Sequence, residues 1–160
     1  MKFFKSLILT VLVSFVLCAC AEGAKETDSS EGKPDNDNVV ITSRDAGTGT
    51  FYYPDDAFNE YLTVEREFDG TAQNVIDILR ELGNYADNEV RANSWYVKGN
   101  TLYIDFNEEL KSATGSSAQE YFSIYGTVKT LKSCFGVDYV RLTVAGKDFN
   151  TPHGEYDLPL

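Results

Sequence analysis

SWYVKGNTLYIDF, residues 94–106, is two alternating runs joined by Gly99-Asn100. A Gly-Asn pair between alternating runs suits a two-residue hairpin turn, because both residues tolerate the positive φ that such turns require. The turn sets the register. Val97 comes opposite Leu102 and Trp95 opposite Ile104 on one side, with Tyr96 opposite Tyr103 on the other. The first side is uniformly apolar and is expected to face the core. The tyrosine pair is then expected on the solvent side of the sheet.

On the C-terminal side, Ser117-Ala118-Gln119-Glu120 has the form of a capping box, and Ala118, Tyr121, Ile124, Tyr125, Val128, Leu131 and Phe135 recur at helical spacing up to Gly136. DYVRLTVAG, residues 138–146, alternates again, with Val140, Leu142 and Val144 directed inward and Tyr139, Arg141 and Thr143 outward. On the N-terminal side, FYYPD (51–55) reads as a strand stopped by Pro54, and LTVEREF (62–68) as a strand with Leu62, Val64 and Phe68 on one side. Thr71 caps a helix through Ala72, Val75, Ile76, Leu79 and Leu82, which Gly83 ends. The order β-β-α-β-β-α-β predicts an α+β fold, a mixed sheet of four to five strands with two helices on one face.

The first fifty residues differ in kind. Lys2 and Lys5 precede an almost wholly apolar run from Leu7 to Leu17, too short for the roughly 20 residues of a membrane-spanning helix and shaped like a signal peptide. Leu17-Cys18-Ala19-Cys20 resembles a bacterial lipobox, in which an aliphatic residue and then a small one precede the acylated cysteine. Cys20 fits and Cys18 does not, because Leu17 would then occupy the tight position. Residues 1–19 are thus expected to be removed as a lipoprotein signal, leaving Cys20 lipidated on the extracytoplasmic face of the membrane. Residues 20–50, rich in Ser, Asp, Glu, Gly and Asn, are expected to be a flexible tether, and residues 51–160 one domain. Two or three acyl chains, at roughly 0.8 kcal/mol per buried methylene, anchor a protein without a basic patch.

The net charge of -11 excludes the basic clusters on which nucleic-acid binding depends. Once Cys18 is removed and Cys20 acylated, Cys134 is the remaining thiol, and its neighbours Leu131 and Phe135 suit a buried, inert side chain. The single His153 has no nucleophile elbow, no HExxH and no paired cysteines around it, so no catalytic residue, metal or cofactor is assigned.

YYPDD (52–56), the helix bearing Ala72, Val75, Ile76 and Leu79, LYIDFNEEL (102–110), ATGSSAQE (113–120), the run from Thr127 to Gly146 and the closing GEYDLPL (154–160) follow the order found in the GerMN domain. The chain resembles that family of sporulation and spore-germination lipoproteins over essentially all of 51–160. It departs from the pattern at NYADNEVRANS (84–94), a short connection without a proline-containing loop. The resemblance implies a fold similar to the ring-building motifs of envelope assemblies, and a role in protein interaction with no catalytic residues.

The residues and the resemblance lead to one expectation: a non-enzymatic envelope module that meets another envelope protein, or a second copy, through Tyr96, Tyr103, Tyr139 and Arg141. Tyr and Arg are the residue types that dominate contact hot spots. Two alternatives stand beside it. One is glycan or peptidoglycan binding with Trp95 and the tyrosines as stacking platforms. The other is hydrolysis of wall glycan by Asp105, Glu108 and Glu109, which needs a carboxyl pair across a sugar.

Overall fold

The computed structural model describes residues 40–160 apart from 43, 88, 114, 152, 153 and 156–158. Cys18, Cys20, His153 and most of the expected tether lie outside the described residues. The elements in chain order are Val40–Ile41 (β1), Gly47–Pro54 (β2), Tyr61–Phe68 (β3), Ala72–Glu81 (α1), Ala92–Lys98 (β4), Thr101–Phe106 (β5), Glu109–Ser112 (α2), Ser117–Phe135 (α3), Tyr139–Val144 (β6), Lys147–Asp148 (β7), Asn150–Thr151 (β8) and Gly154–Glu155 (β9).

The Gly99-Asn100 hairpin forms in the expected register, Trp95 facing Ile104, Tyr96 facing Tyr103 and Val97 facing Leu102. The helical crossover then returns the chain so that β6 lies parallel to β5. The result is a mixed five-stranded sheet ordered β1-β4-β5-β6-β7. Leu102, Ile104, Phe106, Val140, Leu142 and Val144 make its buried face. Val75, Ile76 and Leu79 of α1 and Ile124, Val128 and Leu131 of α3 cover that face. Each such side chain contributes roughly 1.5–3 kcal/mol when fully buried. A core of this size suits a chain whose one cysteine among the described residues, Cys134, is unpaired.

The other hairpin departs from expectation. β2 and β3 pair with each other over their whole length but stay out of the five-stranded sheet, whose outer strands are the two-residue β1 and β7. The cause lies on α3. Thr50 N–H donates to Ser133 Oγ at 3.0 Å and Tyr52 N–H to Thr130 Oγ1 at 2.9 Å, so helix hydroxyls occupy the strand edge that another strand would need. Two glycines permit this close approach. A Cβ on Gly49 would lie 2.5 Å from Cys134 Sγ, and one on Gly126 would lie 2.9 Å from the Tyr52 carbonyl oxygen.

Three smaller corrections follow from the same packing. The fold takes in residues assigned to the tether, since β1 lies on β4 and β2 begins at Gly47. Two residues are too few to show alternation, and a Gly-Thr-Gly-Thr start looks like linker until Gly49 meets Cys134. The helix cap is Ser116 rather than Ser117: Ser116 Oγ accepts from Gln119 N–H at 3.2 Å, and Gln119 Oε1 accepts from Gly115 N–H at 2.9 Å. This frame turns Glu120 inward, where it accepts a hydrogen bond from Thr151 Oγ1. Ala118 and Tyr121, placed in the packing stripe, are exposed, because the helix turns Glu120 rather than these two toward the interior. Thr71 caps α1 as expected, its side chain accepting from Asn74 N–H at 3.1 Å.

Thr130→Val keeps the shape at the contact and removes the acceptor of Tyr52 N–H, so it should cost about 1–3 kcal/mol. Gly126→Ala should also destabilise, by up to about 2 kcal/mol net, because overpacking against the Tyr52 carbonyl at about 1–3 kcal/mol exceeds the helix-propensity gain of roughly 1 kcal/mol. Urea midpoints check both, and a stabilised Gly126→Ala would contradict the close approach.

Candidate functional site

The face of the sheet opposite the helices is built by strand parity. Pairing sets three rows across β4, β5 and β6: Lys98, Thr101 and Tyr139; Tyr96, Tyr103 and Arg141; and Ser94, Asp105 and Thr143. All four residues expected to meet a partner therefore lie on one surface, and among the described residues no helix lies over them. Tyr139 is 50% exposed and Tyr96 37%.

The tyrosines are preorganised. The Tyr96 and Tyr103 rings stack with centroids 4.7 Å apart and planes 5° from parallel, so each covers a face of the other and the pair shares its edges and hydroxyls with solvent. Beside them Arg141 Nη2 lies 3.4 Å from Asp148 Oδ1, a long contact between exposed side chains that contributes little. The guanidinium retains donors for another acceptor. A hollow of about 160 Å3 opens between Tyr96, Tyr103, Arg141 and Asp105.

Asp105 is committed to the scaffold. Its Oδ1 accepts from Thr143 Oγ1 and from Gly146 N–H, both at 2.7 Å, and its Oδ2 from Asn93 Nδ2 at 3.0 Å. Partial desolvation pushes the carboxyl up, but these three bonds together hold it below the ordinary aspartate range. They tie the β6–β7 turn to the β4 irregularity between Ala92 and Ser94. Glu108 stands apart at the start of α2, where its Oε2 meets Lys111 Nζ at 2.7 Å, and Glu109 opens that same helix. The three carboxylates weighed for glycan hydrolysis do not form a facing pair.

Trp95 lies on the helix side of the sheet as expected, its ring 5.0 Å from that of Phe135. Burial pushes the Cys134 thiol up to about 12, with Arg44 lowering it and Glu65 raising it, so the thiol is unreactive at neutral pH. Two features were not expected. Asn84 Nδ2 donates to Ser123 O and Thr127 Oγ1, both at 3.1 Å, and Tyr85 OH shares a 2.6 Å hydrogen bond with Thr127 Oγ1, a buried network within an unremarkable linker. Tyr121, 51% exposed, leads an aromatic group with Phe122, Tyr125 and Tyr61, next to which Lys129 Nζ lies over the Tyr61 ring at 5.3 Å. The i, i+4 spacing of Tyr121 and Tyr125 was the available signal for it.

A small α+β domain with one open, aromatic sheet face defines the class. Residues 50–149 match the sequence model of the Germane family, described as sporulation and spore germination, and the chain belongs to that family. Among solved structures it is similar to the tandem GerMN domains of the sporulation protein GerM from Bacillus subtilis, at 20% identity and TM-score 0.46 over 75% of this chain and 45% of that one. It thus spans less than half the length of that chain. A lipoprotein structure from Clostridium perfringens is similar at 11% identity and TM-score 0.40, over 72% of this chain and 86% of that one. No curated protein matches the chain.

Because the folded Asp105 carboxyl sits below the ordinary value of about 3.9, its stabilising contribution is complete above that value and is lost as pH falls through the folded one. Asp105→Asn should therefore flatten the acid limb: from about pH 4 downward the natural protein loses stability more steeply than the variant. Urea midpoints across this range test it, and parallel acid slopes would contradict the assignment.

Proposed function

We propose that the protein is a non-enzymatic interaction module of the bacterial cell envelope, held on the extracytoplasmic face of the membrane by lipid on Cys20 and acting in sporulation or spore germination. It docks a partner protein through the open face of the five-stranded sheet. The observation that carries this reading is the row Tyr96, Tyr103 and Arg141: two stacked rings and a guanidinium with donors to spare, fixed on strands rather than loops. Stacked aromatic side chains lose little freedom on contact, and Arg adds several donors, which is why the two types dominate interface energetics.

The same geometry weighs against the alternatives. Sugar rings stack on exposed aromatic faces, whereas Tyr96 and Tyr103 spend a face each on the other and Trp95 is turned to Phe135. Hydrolysis of a glycosidic bond needs a carboxylic acid whose pKa is raised to hold a proton, and Asp105 is shifted the other way. The family supports the setting in sporulation or germination, and the Leu17-Cys18-Ala19-Cys20 pattern supports the anchor.

Tyr103→Asp should abolish association and in vivo function while leaving the domain folded, at a cost of about 0.5–1.5 kcal/mol for the lost stack on Tyr96. Leu102→Asp should unfold the domain, since it buries an unpaired charge. Full complementation by a folded Tyr103→Asp protein would contradict docking through this face, and sedimentation of the protein with purified cell wall would favour the glycan reading. Separately, Cys20→Ala should release the protein from the membrane fraction and Cys18→Ala should not; retention of the Cys20→Ala variant would contradict the anchor.

A further inference from the structure

Among the described residues, the outer edge of each long strand but one is covered at least in part. β4 carries β1 at Val97 and Lys98, and its Ala92 N–H donates to Gln73 Oε1 at 2.9 Å. β6 carries β7 at one end and, at the other, Val140 and Leu160 exchange both backbone hydrogen bonds at 2.9 Å. β2 is covered by Thr130 and Ser133 of α3. β3 carries nothing among the described residues.

The groups left free on β3 follow from β2. Thr50 and Tyr52 turn their N–H groups toward α3, so Gly49, Phe51 and Tyr53 face β3 and pair with Arg66, Val64 and Leu62. In an antiparallel ladder the alternate residues of the second strand then point the other way. Tyr61, Thr63, Glu65 and Glu67 therefore present both N–H and C=O outward. The eight-residue run YLTVEREF contains no proline, and its pairing with β2 has no register break. Its side chains also sort by face. Tyr61, Thr63, Glu65 and Glu67 lie on one side, and the 40% exposed Leu62, Val64, Arg66 and the buried Phe68 lie on the other, with Leu62 and Val64 as the accessible apolar end of that side.

We propose that the β3 edge takes an extended segment of a partner protein as an added strand, the segment alternating basic and apolar residues. Backbone pairing with Tyr61, Thr63, Glu65 and Glu67 supplies the affinity common to strand addition, and the alternate side chains supply selectivity. Glu65, although it accepts from Thr50 Oγ1 at 2.5 Å, and Glu67 attract Lys or Arg on one face. Leu62 and Val64 take apolar side chains on the other. A second copy is the wrong occupant, because it would bring two acidic strands together on chains of net charge -11. The edge is a different surface from the tyrosine face, and the proposal does not depend on docking there.

The test uses the full chain, 15N-labelled in a neutral detergent, titrated with a synthetic peptide of alternating lysine and valine. The expected result is amide shifts and slowed exchange at Thr63, Glu65 and Glu67, with no response to a peptide carrying glutamate in place of lysine. Thr63→Pro removes one outward N–H without touching the β2 ladder, and should weaken binding about tenfold while leaving the fold intact. If that variant fails to fold, Glu65→Lys combined with Glu67→Lys serves instead and should reverse the preference to the glutamate peptide. Shifts confined to Tyr96 and Tyr103, equal binding of both peptides, no binding at all, or dimerisation through β3 would each overturn the proposal. So would unchanged affinity in a folded Thr63→Pro protein.

Discussion

The architecture depends on a strand edge bonded by a helix. An edge N–H shut away from water without an acceptor costs about 1–3 kcal/mol, and the Tyr52 N–H lies in the part-buried seam between β2 and α3, with the Thr50 N–H at its exposed end. Thr130 and Ser133 supply the acceptors, and Gly49 and Gly126 supply the room. One turn earlier, Ser123 and Thr127 hold Asn84 and Tyr85 in the same way. α3 therefore has two working sides: Ile124, Val128 and Leu131 pack on the sheet, and a hydroxyl line meets the hairpin and the 84–85 linker.

That division determines what the molecule shows to its surroundings. With the β2–β3 hairpin held on α3, it is not available to extend the five-stranded sheet or to cover its far side. The far side remains an open grid of side chains stiffened by the Tyr96–Tyr103 stack and by Asp105, whose bonds to Thr143, Gly146 and Asn93 stop the β6 turn and the β4 irregularity from shifting. The hairpin in turn keeps one edge bonded to the helix and the other in solvent. Both candidate contact surfaces thus follow from where α3 spends its polar side chains.

Much of this was legible in the residues because it rests on parity and local chemistry. The Gly99-Asn100 turn placed Tyr96, Tyr103 and, through the alternation of DYVRLTVAG, Tyr139 and Arg141 on one face, and Thr71 marked a helix start that the structure keeps. What stayed hidden depends on contacts across the chain. The separate hairpin turns on which acceptor an edge N–H finds 78 or 83 residues away, and no periodicity records that. Buried hydroxyls at 123, 127 and 130 look like a solvated face when polarity alone is read. Ser116 and Ser117 each begin a sequence that satisfies the capping-box pattern, and the inward turn of Glu120 decides between them.

Amide hydrogen exchange resolved by residue tests the central claim most directly, because it reports whether each edge N–H has a lasting partner. If α3 hydroxyls hold the hairpin, the Thr50 and Tyr52 amides should exchange as slowly as Leu102 and Ile104 in the core, while Thr63 and Glu65 on the open edge exchange fast. Thr50 and Tyr52 exchanging at the rate of Thr63 and Glu65 would contradict the account.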